Sequence, residues 1–248
     1  MKDVTNLTNK TILVTGASSG IGKQIASTLS EAGAVLVITG RNEQRLNETL
    51  NSLTGERHQA VACDLTSLEG RERLVANLPK LNGVVHCAGV IDIKPIKYIE
   101  KSDIHTMNTT NYQAPVLLTQ LLLFEKKLQK QASLVFITSV SAHLGAIGFG
   151  LYAASKGALT SFARVLALET SSQGIRVNCL AAGMVKTPMF DETASVLTEE
   201  ALAENEKLYP LGFVSPTDVA NGVLYLLSDI SQKVTGITLT IDGGYSIA

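Results

Sequence analysis

The chain has 248 residues, 45% of them hydrophobic and 17% charged, with a formal net charge of −1. That length and apolar share suit one large α/β domain, and the balanced charge gives no footprint for nucleic acid or an anionic membrane surface. The three cysteines, Cys63, Cys87 and Cys179, are odd in number and far apart. They read as reduced core thiols of a cytoplasmic protein, which argues against a disulfide framework or a metal site.

The chain opens polar, so no hydrophobic signal segment is expected before the first strand, and no apolar run is long enough to span a bilayer. A first strand at 11–15 runs straight into Thr15-Gly16-Ala17-Ser18-Ser19-Gly20-Ile21-Gly22 and a helix at 21–32. A strand at 34–39 leads through Gly40-Arg41-Asn42 into a helix at 42–53, and a strand at 58–63 precedes Asp64 and a helix at 68–78. The fourth strand, 83–87, gives way to Cys87-Ala88-Gly89 and a helical stretch at 103–128 that divides near Met107. A strand at 133–139 ends on Ser139, and a helix at 152–172 opens with Tyr152. The last strands fall at 175–181 and 237–241, with a helix at 216–228 between them. Near-continuous apolar strands alternating with amphipathic helices predict a doubly wound parallel sheet in one domain spanning 1–248. One stretch, 186–212, breaks the rhythm. It is polar, rich in Glu and Ala, and follows a strand's carboxyl end, the position of a candidate substrate lid.

Two local patterns carry chemistry. The glycine-rich turn between the first strand and helix lets backbone approach a phosphate, and the helix N-terminus aims amides and a positive dipole at it. Its spacing is G-x-x-x-G-x-G, a variant of the dinucleotide fingerprint. Where an NAD-selective site places an acid after the second strand, this chain has Gly40 and Arg41. A guanidinium suits a 2′-phosphate, so NADP(H) is expected over NAD(H). The second pattern is Tyr152 and Lys156, four residues apart and therefore on one helix face, with Ser139 thirteen positions upstream of the tyrosine. A phenol ordinarily titrates at about 10. A neighbouring cation is expected to lower that value and make the hydroxyl a usable acid or base near neutral pH.

The glycine motif, Asp64, Ala88-Gly89, Asn111, Ser139, Tyr152, Lys156, Gly183, Thr187 and the terminal Ile241-Asp242-Gly243-Gly244 stand in the order and register of one family. On these residues the chain resembles the short-chain dehydrogenases/reductases over essentially its full length, and is similar to the 3-oxoacyl carrier-protein reductases among them. The resemblance implies a Rossmann-type sheet of seven parallel strands, a nicotinamide cofactor, a small-molecule carbonyl or alcohol substrate, and a homo-oligomer, tetramer or dimer. It implies that Tyr152 exchanges a proton with the substrate oxygen, Ser139 binds that oxygen, and Lys156 lowers the Tyr152 pKa and holds the nicotinamide ribose. Asn111 would support a water linking Lys156 to solvent. The implied cofactor contacts are Gly16, Ser18, Ser19, Gly20, Ile21, Gly22, Arg41, Asp64, Leu65, Cys87, Ala88, Gly89, Tyr152, Lys156, Gly183, Val185 and Thr187.

Two positions depart from the family pattern. Cys87 stands where an Asn usually ties neighbouring backbone together, and Ala182 replaces the proline of a Pro-Gly pair. Substrate identity stays open among acyl thioesters, steroids, sugars, quinones and simple ketones. The candidate lining is His143, Leu144, Phe149, Met184, Met189 and Phe190. Lys126, Lys127 and Lys130 are candidates to meet an acidic carrier protein, although Gln173 replaces an arginine usual in those reductases. Beside the general reductase reading stand a 3-oxoacyl carrier-protein reductase specifically, and a cofactor-binding sensor or scaffold without turnover.

Overall fold

Seven strands form the sheet: β1 (Thr11–Thr15), β2 (Val35–Gly40), β3 (Gln59–Ala62), β4 (Leu81–His86), β5 (Leu128–Ser139), β6 (Arg176–Ala182) and β7 (Thr238–Ile241), and β1, β2 and β7 are rich in β-branched residues. The computed structural model describes residues 5–190 and 198–248, and of 199–201 the backbone alone. All neighbouring strands pair parallel in one sheet, in the order β3-β2-β1-β4-β5-β6-β7. The helices are α1 (Gly20–Glu31), α2 (Glu43–Ser52), α3 (Leu68–Ala76), α4 (Lys101–Asn108), α5 (Ala114–Phe124), α6 (Gly150–Thr170), α7 (Glu199–Glu206) and α8 (Pro216–Leu227).

Side chains along a strand alternate between faces, and β1 shows what that does to the core. Ile12 and Val14 pack with Ile25 and Leu29 of α1 and with Val219 and Val223 of α8. Leu13, between them, joins Leu74 of α3, Leu118 and Leu122 of α5, and Leu159 and Leu166 of α6. Both faces of the sheet are thereby covered, and every residue of β6 is buried. Each large aliphatic side chain so enclosed contributes roughly 1.5–3 kcal/mol of transfer free energy.

The strand order reverses between β1 and β4, which opens a crevice at their carboxyl ends where such sheets bind ligands. Here the loops that follow β1 and β4 touch. A Cβ on Gly16, which has φ +70, would lie 2.8 Å from both the Cα and the backbone nitrogen of Ala88. The Thr15 hydroxyl accepts the backbone N–H of Cys87 at 3.0 Å and of Ala88 at 3.1 Å. It thus ties this loop to β1 although Cys87 has no side-chain amide of its own.

The central region departs from the sequence prediction. The helical stretch expected at 103–128 starts at Lys101, where Glu100 and Asp103 form a capping box, and it ends at Phe124. Its division lies just past Met107, as a π turn at Thr109–Gln113. Strand β5 begins at Leu128, five residues before the predicted start. Lys126 (φ 52) reverses the chain, Leu128 pairs with Leu81, and the register then shifts before Ser133 meets Gly83. Gln129, Lys130 and Gln131 are exposed, so no apolar alternation announces this part of the strand. The 186–212 excursion is pinched at its base by a parallel bridge between Val185 and Val214. It contains α7, and its part at 191–197 lies outside the described residues. No helix among the described residues is long and apolar enough to cross a membrane.

Candidate active site

A cavity of about 460 Å³ lies at the carboxyl ends of the strands, and each of the expected cofactor contacts lines it. Its phosphate end is built by the turn into α1. Ser19, the N-cap, is extended and makes no side-chain cap, and no acid stands in the first turn. The positive end of the helix therefore faces the cavity. A Cβ at Gly22 would lie 2.2 Å from the Gly16 carbonyl oxygen, so the turn closes too tightly for any side chain. At the end of β2 the lining continues with Gly40, Arg41, Asn42 and Arg45. Arg45, in the first turn of α2, was not foreseen. Asp64 is the acidic side chain of this wall. Its carboxylate accepts the Thr66 backbone N–H at 2.9 Å and the Thr66 hydroxyl at 2.8 Å. Those bonds, with smaller help from Arg41 and Arg71, hold its pKa below the ordinary value.

These features fit a phosphorylated dinucleotide. An uncapped helix N-terminus, glycines at backbone contact and two guanidiniums offer donors and positive charge where its phosphates would lie.

Ser139 is the last residue of β5, and its Oγ accepts the Ser141 backbone N–H at 3.1 Å, fixing the turn that follows. Tyr152 lies in the first turn of α6 and lines the same cavity wall as Ser139. The Lys156 ammonium sits 5.6 Å from the centre of the Tyr152 ring and donates to the Ile137 carbonyl at 3.0 Å. Burial pushes Lys156 down to about 8. Burial likewise pushes the Tyr152 phenol up to about 12, against the lowering influence of the Ser139 hydroxyl. The sequence expectation was a phenol lowered by Lys156. In this structure desolvation of the phenol outweighs the cation, which is directed at a backbone carbonyl.

Asn111 sits inside the π turn and is 1% exposed. It does not line the cavity but stands behind it. A Cβ on Gly89 would lie 3.2 Å from Asn111 Oδ1 and 3.5 Å from Lys156 Nζ, so both side chains close on the same glycine. Such single-turn π insertions recur at functional sites because they push one side chain out of helical register.

At the other end, Leu144, Phe149, Met184, Met189 and Phe190 line the cavity as expected. His143 does not; its side chain is exposed to solvent. The lysines considered for a carrier protein are also misplaced for that role. Lys126, Lys127 and Lys130 stand at the amino end of β5, with Lys130 about 30 Å of strand from Ser139. Asn205, Tyr209 and Tyr245 join the lining without any warning in the local sequence. No cluster able to hold a metal occurs among the described residues, and Cys63, Cys87 and Cys179 are free.

A family model described as enoyl-(acyl carrier protein) reductase matches residues 16–246. The 3-oxoacyl-[acyl-carrier-protein] reductase of Rickettsia felis is 31% identical over 240 residues, covering 96% of this chain and 98% of that protein. Dehydrogenase/reductase SDR family member 4 of Homo sapiens is 32% identical over 256 residues, covering 96% of this chain and 88% of that one. Among solved structures, an actinorhodin polyketide ketoreductase variant with NADPH superposes with a TM-score of 0.89 at 28% identity, covering 96% of this chain and 98% of that chain. The sheet order, the cavity at its switch point and these full-length matches lead to one conclusion: the protein belongs to the short-chain dehydrogenase/reductase family of oxidoreductases.

Proposed function

We propose that the protein is an NADP(H)-dependent oxidoreductase that interconverts a carbonyl and a secondary alcohol, with Tyr152 as general acid and base. The observation that carries this reading is the convergence of Ser139, Tyr152 and Lys156 on one cavity wall, with the Lys156 ammonium beside the phenol ring. When bound, the cofactor supplies or accepts the hydride. The glycine turn and the α1 N-terminus would hold its pyrophosphate, and Arg41 and Arg45 its 2′-phosphate. Ser139 orients the substrate oxygen, and Tyr152 gives it a proton in reduction or takes one in oxidation. Lys156 replenishes the phenol and holds the nicotinamide ribose. Asn111 keeps the loop after β4 closed against Lys156 and supports the water through which the proton is replaced.

The described parts of the 186–212 excursion that line the cavity, among them Met189, Phe190, Asn205 and Tyr209, serve as the cover of the substrate end. Phe124 on α5 and Val165 and Leu168 on α6 stay exposed, which supports self-association through these helices. The Rickettsia felis relative favours a second reading, reduction of a 3-oxoacyl thioester carried by a protein.

The test is NADPH oxidation across acyl thioesters, steroids, sugars, quinones and simple ketones, run beside Tyr152→Phe. Turnover of one class, lost in the variant, supports the reading. NADPH binding without turnover of any carbonyl overturns it in favour of a sensor.

A further inference from the structure

The charged side chains that line the cavity are Arg41, Arg45, Asp64 and Lys156, all assigned above to the cofactor or to proton transfer. The substrate end therefore presents no charge among the described residues. Its walls are aromatic. Tyr209 is 6% exposed. Its ring stacks on Tyr245 at 4.6 Å with an interplanar angle of 14°, and meets Phe213 edge-on at 4.9 Å. A Cβ on Gly183 would lie 3.2 Å from the Tyr209 ring, so backbone supports it from behind. Phe149 closes toward the catalytic tyrosine, its ring centre 6.3 Å from that of Tyr152.

One polar atom in this wall has no counterpart. Asn205 lies on α7, four residues before Tyr209, and lines the same cavity. Its Oδ1 is buried and has no hydrogen-bond partner among the described residues. Leaving such an acceptor unmade costs about 1–3 kcal/mol, and a ligand that brings a donor recovers it.

We propose that Asn205 determines specificity at the substrate end. The substrate it selects is a neutral, ring-bearing ketone with a hydroxyl remote from the reacting carbonyl, or the corresponding diol. The proposal rests on the reductase reading of the site. The flat ring lies along the Tyr209 and Tyr245 platform, where aromatic contact adds to burial, and the remote hydroxyl donates to Asn205 Oδ1. A carboxylate or phosphate at that end would meet an amide oxygen and no cation. A plain acyl chain would leave the oxygen unpaired. Sites built around a substrate hydroxyl reject analogues without it far more strongly than apolar pockets reject a missing methylene.

The experiment uses three lengths of para-substituted probe: hydroxyacetophenone, hydroxyphenylcyclohexanone and acetyl-hydroxybiphenyl. Each is compared with its methyl ether, which accepts but cannot donate, and with its unsubstituted parent. For the full chain with NADPH, the phenol should exceed both counterparts in kcat/KM by about tenfold or more at one length at least. That preference should disappear in Asn205→Leu and survive in Asn205→Asp, which keeps an acceptor. A wild-type protein with no phenol preference at any length overturns the proposal, as does a preference that persists in Asn205→Leu. If parent ketones turn over without a phenol preference, the proposal fails and the reductase reading stands. If nothing turns over, calorimetric titration of the same compounds decides. Tighter binding of a phenol, lost in Asn205→Leu, keeps the subsite and sinks the reductase reading, and equal or absent binding sinks the subsite.

Discussion

Asn111 is bonded to Val90 in both directions, its Nδ2 donating to the Val90 carbonyl at 2.9 Å and its Oδ1 accepting the Val90 N–H at 2.8 Å. The side chain imitates a strand partner for a loop that has none. The same Nδ2 lies 3.2 Å from Ser155 Oγ, which places α6 in the same network. Asn111→Leu keeps the volume and removes every one of these bonds. The folded state should lose about 2 kcal/mol or more, because the Val90 groups are left without a partner. Urea unfolding at fixed protein concentration measures this, and a loss under about 0.5 kcal/mol would show that the π turn does not depend on the amide.

Tyr152→Phe removes the proposed proton donor and little volume. Turnover should fall on the order of a hundredfold or more, with NADPH affinity within about threefold of wild type. Single-turnover kinetics beside a binding titration separates the two quantities. Near-normal turnover would end the assignment of Tyr152 as the acid and base.

Burial pushes the Lys156 ammonium down from its ordinary value of 10.5 to about 8 in the folded chain. Below about pH 8 the folded state bears the full cost of holding that ammonium. Between pH 8 and 10.5 the unfolded chain binds more protons, so this cost is relieved and stability rises with pH. Lys156→Met removes the cost. The variant without cofactor should be more stable than wild type at pH 7 by about 3 kcal/mol, and its advantage should shrink through that window. Tyr152, raised to about 12, acts in the opposite sense above pH 10 in both proteins. Unfolding at pH 7 and at pH 10 checks the trend, and an advantage independent of pH would contradict it.

Arg41 and Arg45 line the cavity at the end of β2. Arg41→Ala should lower kcat/KM for NADPH by about tenfold or more and leave NADH nearly unchanged, the expected loss of a charge-assisted phosphate contact. Arg45→Ala should move the same ratio less far. Equal use of both cofactors by wild type, unaltered in Arg41→Ala, would remove the cofactor preference.

Much of the framework was legible because β1 and β2 are apolar and covered on both faces, so their sequences announce them. Leu128 to Ala132 escaped notice because the exposed Gln129, Lys130 and Gln131 carry no apolar alternation. The glycine loop, Tyr152 and Lys156 show themselves by spacing. The direction of the Tyr152 shift does not, since it depends on how deeply the sheet and α6 enclose the phenol. Asn205, Tyr209 and Tyr245 come together only when the Val185 and Val214 bridge closes the excursion and Asp242, accepting the Gly244 and Ser246 amides, curls the last turn toward the cavity. Distant segments leave no local periodicity to find.

The contact between Gly16 and Ala88 has a genetic consequence. A Cβ at Gly16 would strike the Cα and nitrogen of Ala88, atoms that every amino acid possesses. No change of side chain at 88 can make room for a substitution at 16, and the positive φ of Gly16 disfavours one independently. In a selection for revertants of Gly16→Val, compensating changes at 88 should be absent. Recovered function should come from restored glycine, or from alterations that move the whole backbone of one loop away from the other.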